Sequence, residues 1–275
     1  TSDRTGERLS QIGKFTQPDH SGNPRYFIEF LEMVERQRDV SEVRARSYRQ
    51  MRLRPGMSVL DIGCGIGTAV REMANCVGPS GSASGVDISE AMIEEASARM
   101  DGIYNVGFMT GEACRLAYPN AVFDAVRMER VLLYVPDRLK AISEMIRVTK
   151  AGGRVAITDV DIDCTAIAGK NRAQTRKMTS LVAETFLHPT SGRELPALLR
   201  AAGLQDVTVD YMVAASTHQF CVFTTQGTLR AAAEAGKVTM AEVDEWYGEL
   251  AELEAAGDFL QLWIFAIAGG TVPEA

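Results

Sequence analysis

Nowhere in this 275-residue sequence is there an apolar run long enough to cross a bilayer. The longest, Leu262 to Ala268, falls far short of the roughly 20 residues a spanning helix needs. The N-terminus is polar, with Asp3, Arg4, Glu7 and Arg8, and shows no secretory signal pattern. A cytoplasmic protein with no membrane association is therefore expected. Cysteine is sparse and unpaired: Cys64, Cys76, Cys114, Cys164 and Cys221 lie far apart, with no CxxC spacing. An odd, scattered set argues against a disulfide framework and against a zinc site, so no metal is expected. The thiols read mostly as small core residues in a reducing compartment. Dense Lys/Arg clusters are absent too, and the net charge is −7, so nucleic acid is not an expected partner. Solubility alone accounts for that sign. There is no internal repeat and no low-complexity stretch.

What remains is a globular composition, 46% apolar and 24% charged, long enough for one large domain or a domain with a small cap. Residues 1–24 read as irregular. Residues 25–51 read as helical, with Phe27, Phe30, Leu31, Val34, Val43 and Met51 on an apolar face. Pro55-Gly56 ends that region, and short apolar strands then alternate with amphipathic helices. Strands are expected at 57–62, 82–87, 106–109, 122–128 and 154–159, with helices at 66–77, 90–100 and 139–148. Such repeated units imply an α/β fold, a mostly parallel sheet with helices on both faces. Further on, helices are expected near 170–186, 192–202, 228–235 and 240–256, and strands at 207–213 and 259–268.

The strongest local signal is Asp61-Ile62-Gly63-Cys64-Gly65-Ile66-Gly67-Thr68, a buried strand entering a glycine turn and then a helix. Glycines allow positive φ and close approach of a ligand, and the helix start offers free N–H groups. A dinucleotide fingerprint would need a glycine where Thr68 stands. The carboxylate of Asp61 beside the turn suits a zwitterionic amino acid better than two phosphates. A purely structural glycine turn is the alternative. Asp87, in Gly85-Val86-Asp87-Ile88-Ser89, ends the next strand and can accept from two ribose hydroxyls; equally, Asp87 or Ser89 could cap the following helix. After the third strand, Gly111-Glu112-Ala113 could meet an adenine amino group and ring nitrogen, with Ile88 and Met92 offering apolar surface to its faces. Acidic positions at three successive strand ends point to one ligand at the carboxyl edge of the sheet.

Together with Phe123-Asp124-Ala125-Val126 and Arg147 through Arg154, these motifs make the chain from Met57 to Asp161 resemble class I S-adenosylmethionine-dependent methyltransferases of the small-molecule, UbiE-like (type 11) group. The resemblance implies a Rossmann-like seven-stranded sheet of order 3-2-1-4-5-7-6 with strand seven antiparallel. An N-terminal helical lid over 1–52 is expected as well, ahead of a methyltransferase domain over 53–275 with helical inserts at 163–190 and 228–256. S-adenosyl-L-methionine is the implied cofactor, held by Asp61, Gly63, Cys64, Gly65, Asp87, Ile88, Met92, Gly111, Glu112 and Ala113. Met128, Glu129 and Arg130 would line the methionyl end. The histidine pair common in relatives is replaced here by Arg130-Val131-Leu132-Leu133-Tyr134-Val135, and the Asp/Asn-Pro-Pro-Tyr motif of DNA amino-methylating enzymes is missing.

Methyl transfer is an in-line displacement that needs alignment and exclusion of water more than a dedicated base. A base helps when the acceptor is a hydroxyl or carbon acid. His188, in the region between strands five and six, is the first candidate, followed by Glu129 and Tyr134, with His20 and His218 as the other histidines. Tyr26, Phe27, Phe30, Phe186 and Trp246 are candidates for an aromatic acceptor pocket, though aromatic residues at helix spacing are more often core. The expected partner is a small-molecule substrate, methylated at O, N or C in secondary or quinone-like metabolism, with a homodimer or higher homo-oligomer possible. A cofactor-retaining protein that catalyses another step such as cyclisation, and an NAD-type oxidoreductase, are the alternatives.

Overall fold

The computed structural model describes Asp19 and residues 24–274. The irregular N-terminal stretch and His20 lie outside the described residues. Two helices come first, α1 (Pro24–Glu35) and α2 (Val40–Met51). The helical region expected over 25–51 is broken between them. Residues 36–39 are all polar and give a helix no apolar stripe to bury. Two of their side chains instead tie the break to a distant strand end: Asp39 accepts from the Ala215 N–H at 3.0 Å and Gln37 from the Thr217 N–H at 3.4 Å.

Alternation then follows: β1 (Ser58–Ile62), α3 (Thr68–Val77), β2 (Ser82–Asp87), α4 (Glu90–Arg99), β3 (Val106–Thr110), β4 (Phe123–Glu129), α5 (Arg138–Val148) and β5 (Thr149–Ile167). The C-terminal part comprises α6 (Arg172–Ala183), α7 (Ser191–Ala201), β6 (Gln205–Ser216), α8 (His218–Glu234), α9 (Met240–Ala256) and β7 (Gln261–Thr271). The seven strands form one sheet in the order 3-2-1-4-5-7-6. All pairings are parallel except those of β7, which runs antiparallel to both β5 and β6. Order and strand direction are those that the family resemblance implies.

Central strands are apolar on both faces because helices cover both. Leu60 and Ile62 of β1 pack with Val126, Met128, Val155 and Ile157 on one side. Val59 packs with Met51, Val70, Met73 and Val77 on the other. Helix α2 thus belongs to the core, with Met51 fully buried under the sheet.

Two elements exceed their expected bounds. Strand β5 runs well beyond 154–159: after an irregularity between Asp161 and Ala166 it pairs with β7 again, Ala166 opposite Leu262 and Ile167 opposite Gln261. Polar Asp161, Asp163 and Thr165 interrupt the apolar run there, which hides the extension. Helix α8 starts at His218, not near 228. Threonines mask it, since they are poor helix formers; here the Thr224 and Thr225 hydroxyls donate back to the Phe220 and Cys221 carbonyls at 2.9 and 2.7 Å. Helices α6, α8 and α9 share a small core of their own around Met178, Cys221, Leu229, Val243 and Trp246. The Trp246 Nε1–H donates to Thr175 Oγ1 at 3.2 Å within it. Among the described residues no helix is long and apolar enough to cross a membrane.

Candidate functional site

A cavity of about 530 Å³ opens over the carboxyl ends of β1, β2, β4 and β5, roofed by α1 and the start of α2. This is where a parallel sheet leaves backbone groups free for a ligand. Its first half is polar and glycine-rich. The turn after β1 carries positive φ at Gly63 (72°), Gly65 (50°) and Gly67 (81°). Side chains there would collide: a Cβ on Gly63 would stand 2.2 Å from Val131 Cγ2, and one on Gly65 2.7 Å from Leu31 Cδ1. The glycines therefore let Val131 and Leu31 pack directly against the turn while its backbone takes a positive φ that other residues rarely adopt.

Asp87 stands at the tip of β2, against this turn. Its Oδ2 accepts from the Gly65 N–H at 2.8 Å and its Oδ1 from the Ser89 N–H at 3.0 Å. Burial raises its pKa, while those backbone N–H groups pull the other way. Capping of α4 falls to Ser89, whose hydroxyl accepts from the Met92 N–H at 3.2 Å and donates to Asp19 at 2.5 Å. Asp87 is thus left to face the cavity. Ile88, Met92, Gly111, Glu112 and Ala113 complete this half, with Met92 buried and Ile88 and Glu112 exposed.

Beneath the turn lies a buried ionic network. Asp61 on β1 is in register with Arg127 on β4. Arg127 pairs tightly with Glu129, while its Nε is 3.6 Å from Asp61 Oδ1. Glu129 also pairs with Arg130 at 2.9 Å. Burial pushes the Asp61 carboxyl up to about 6 against the pull of Arg127. Glu129 is shifted the other way, because Arg127, Arg130 and Arg44 together outweigh its burial and hold it ionised. Arg44 of α2 bridges Glu35 at 2.8 Å and Glu72 at 3.0 Å, joining α1 and α3 beside the cavity. Arg130 sits in the left-handed region at φ 56°, an uncommon conformation for a residue with a side chain. Its N–H donates to the Thr158 carbonyl at 2.8 Å, which pins the bend.

The second half of the cavity is apolar. Phe30 and Val34 of α1, Val160 and Ile162 of β5, Val182 of α6, Phe186, Phe220 of α8, and Trp263 and Phe265 of β7 line it. Tyr134 lines it as well, and burial raises its phenol well above the usual range.

Of the residues expected at the cofactor, Asp61, Gly63, Cys64, Gly65, Asp87, Ile88, Met92, Gly111, Glu112, Ala113 and Arg130 all line this one cavity. Met128 does not. It is fully buried in the opposite core with Ile62 and Val155, because alternate strand residues face opposite sides. Its neighbours Arg127 and Glu129 reach the cavity in its place. His188 is also absent from the lining. Its Nε2 meets the Val135 carbonyl at 3.0 Å and its backbone N–H donates to the Leu133 carbonyl. That arrangement makes Nε2 a donor that fastens a loop, not a base facing a substrate. His218 packs edge-on against Phe259, also away from the cavity lining. Tyr26 and Phe27 are core against Ile66 and Met92, and Trp246 belongs to the α6–α8–α9 core. Phe220, Trp263, Arg44 and Arg127 were not anticipated. An arginine in the middle of the apolar β4 run Phe123–Glu129 was the available signal for Arg127. Among the described residues no cluster of His, Cys, Asp or Glu could hold a metal.

Residues 53–203 match the family described as "Methyltransferase domain". A demethylmenaquinone methyltransferase of Lactococcus lactis is 38% identical over 114 residues, covering 41% of this chain and 45% of the relative. The chain spans about half the length of the curated relatives it matches. Among solved structures, the YcgJ protein of Bacillus subtilis superposes with a TM-score of 0.58 at 20% identity, covering 86% of this chain and 100% of that one. Phosphoethanolamine N-methyltransferase 2 of Haemonchus contortus, solved in complex with S-adenosyl-L-methionine, superposes with a TM-score of 0.54 at 22% identity, covering 85% and 53%. A glycine turn with positive φ at three positions, an acidic strand tip beside it and a cavity of this size fit that cofactor. With more than half of its length matched, this chain belongs to the S-adenosyl-L-methionine-dependent methyltransferase family.

Proposed function

We propose that this chain transfers the methyl group of S-adenosyl-L-methionine to a small, largely apolar organic acceptor, at O, N or C. The observation that carries this reading is one continuous cavity with two chemically different halves. Asp87 and the Gly63–Gly65 turn stand in one, and the aromatic and aliphatic walls from Phe30 to Phe265 in the other. The name of the demethylmenaquinone methyltransferase relatives favours a conjugated, quinol-like ring among possible acceptors.

In this reading Asp87 accepts from the ribose hydroxyls, Glu112 and the Ala113 N–H meet the adenine edge, and Ile88 and Met92 cover its faces. Gly63, Cys64 and Gly65 give the methionyl part room, and Asp61 and Arg130 flank it. When bound, the cofactor supplies a methyl group already activated by a positive sulfur. The chain's own work is to align the acceptor and keep water out, which the apolar walls and the α1 roof are suited to do. Glu129 is poorly suited to remove a proton, being held ionised between two arginines. The Tyr134 phenol, kept protonated by burial, is suited to orient a polar atom of the acceptor.

Titration calorimetry with S-adenosylhomocysteine on the folded protein tests the cofactor half. Binding is expected for the wild type, with affinity lower by about 100-fold in Asp87→Ala, a loss of about 3 kcal/mol typical of a paired buried carboxylate. S-adenosylhomocysteine formation across phenol, quinol and amine panels tests the transfer. Tight cofactor binding with no turnover on any acceptor would favour a step other than methyl transfer, such as cyclisation.

A further inference from the structure

Trp263 stands in the partition between two cavities. Together with Ile162 and Val182 it lines both the large one and a second, small one of about 10 Å³ under α6, α8 and α9. Its indole Nε1–H donates to Ser216 Oγ at 3.1 Å, and the Ser216 hydroxyl donates in turn to Gln261 Oε1. An indole N–H can only donate, so the direction of the chain is fixed: the serine oxygen accepts from Trp263 and its own proton goes to the amide oxygen. The opposite amide orientation would aim a second donor at Ser216 and remove the acceptor of its proton. Gln261 Nε2 is therefore the end turned from Ser216, and it has no partner among the described residues although Gln261 is only 1% exposed. Thr165 Oγ1 is buried and unpartnered as well. Both residues line the small cavity. Register puts them on one face of the sheet, since Ile167 stands opposite Gln261 and Thr165 lies two residues before Ile167.

Two buried polar side chains around a space the size of one water point to a water that joins them, because buried donors and hydroxyls are rarely left unpaired. We propose that one water molecule is bound between Gln261 Nε2 and Thr165 Oγ1, closing a hydrogen-bond chain through Ser216 that fixes the Trp263 indole as a wall of the apolar half. The water accepts from the amide and shares a hydrogen bond with the hydroxyl, so both groups are satisfied where no protein atom reaches them. An organic ligand has no room there. Gln261 is then a positioning residue, acting on an acceptor only through Trp263. The water and the chain need only the geometry above; that Trp263 meets an acceptor rests on the function proposed.

A high-resolution crystal structure of the wild type is expected to show density for one water within hydrogen-bond reach of Gln261 Nε2 and Thr165 Oγ1. An empty site, or an amide that meets a protein acceptor instead, overturns the proposal. Positioning is read in two ways. The Trp263 indole N–H, identified in NMR spectra by its loss in Trp263→Phe, is expected to exchange with deuterium about tenfold faster in Gln261→Met than in the wild type. An unchanged rate overturns the chain. In the same variant the kcat/KM ratio between narrow and wide ring acceptors is expected to change by about tenfold, with S-adenosylhomocysteine affinity unchanged as the report of an intact fold. An unchanged ratio overturns the positioning role. Should Gln261→Met bind no S-adenosylhomocysteine, Thr165→Val, close to threonine in volume, decides on the same two readouts, which are expected to move in the same direction. If the wild type methylates no acceptor, the function proposed falls, while the density and the exchange rate still judge the water and the chain.

Discussion

At the scale of single residues, the buried carboxylates set the pH behaviour. Asp61 is raised from 3.8 to about 6 by burial, so in the free protein it is neutral below that pH. A ligand ammonium needs the anion. Affinity for S-adenosylhomocysteine is therefore expected to be flat above pH 7 and to weaken by up to about tenfold per unit below 6. Calorimetry between pH 5 and 8 checks this; an Asp61→Asn protein should show weaker binding without that slope. Asp159, behind the cavity on β5, behaves differently. Its carboxylate accepts from the Ser191 hydroxyl at 2.6 Å and is pushed up to about 7 by burial. Between pH 4 and 7 the folded protein keeps a proton that the unfolded chain has lost, so stability falls as pH rises through that window. Asp159→Asn should thus raise Tm at pH 8 by several degrees and lose that advantage at pH 5. The acids at strand tips were legible in the sequence because each ends an apolar run just before a turn. Met128 was expected at the cavity and Arg127 was not singled out, because a doubly covered strand lacks the apolar/polar alternation that tells one face from the other.

Among elements, the glycine turn and α1 are coupled sterically. Leu31 sits where a Cβ on Gly65 would have to go. Gly65→Ala is expected to destabilise the fold by about 1–3 kcal/mol, through both positive φ and displacement of Leu31, and to weaken cofactor binding. Urea unfolding and calorimetry on the same variant measure both effects. A smaller effect is expected at α9, whose Thr239 and Glu242 form a reciprocal cap with the Thr239 hydroxyl accepting at 3.1 Å. Thr239→Ala should cost about 1 kcal/mol in urea unfolding without altering cofactor affinity, since α9 contributes nothing to the cavity lining. The parallel strands and their helices were legible from periodicity and glycine punctuation. Helix α8 and the far end of β5 were not, because threonine-rich and acidic stretches become helix and strand here through tertiary packing that outweighs local propensity.

For the molecule as a whole, ligand and fold should be linked by mass action. With S-adenosylhomocysteine at 100 times its Kd, stability should rise by about 2.7 kcal/mol and Tm by several degrees. The same addition to Asp87→Ala, at the same concentration, should move Tm little; differential scanning fluorimetry compares the two directly.

The similarity to the methyltransferase-domain family stops at residue 203, whereas β6, α8 and β7, which wall the apolar half of the cavity, come after it. Because β5 and β7 pair on both sides of the irregularity at Asp161–Ala166, those later walls are tied to the matched part of the sheet by backbone bonds along most of β7. Under the proposed function, substitutions in those walls would change which acceptor fits while leaving the glycine turn and Asp87 in place.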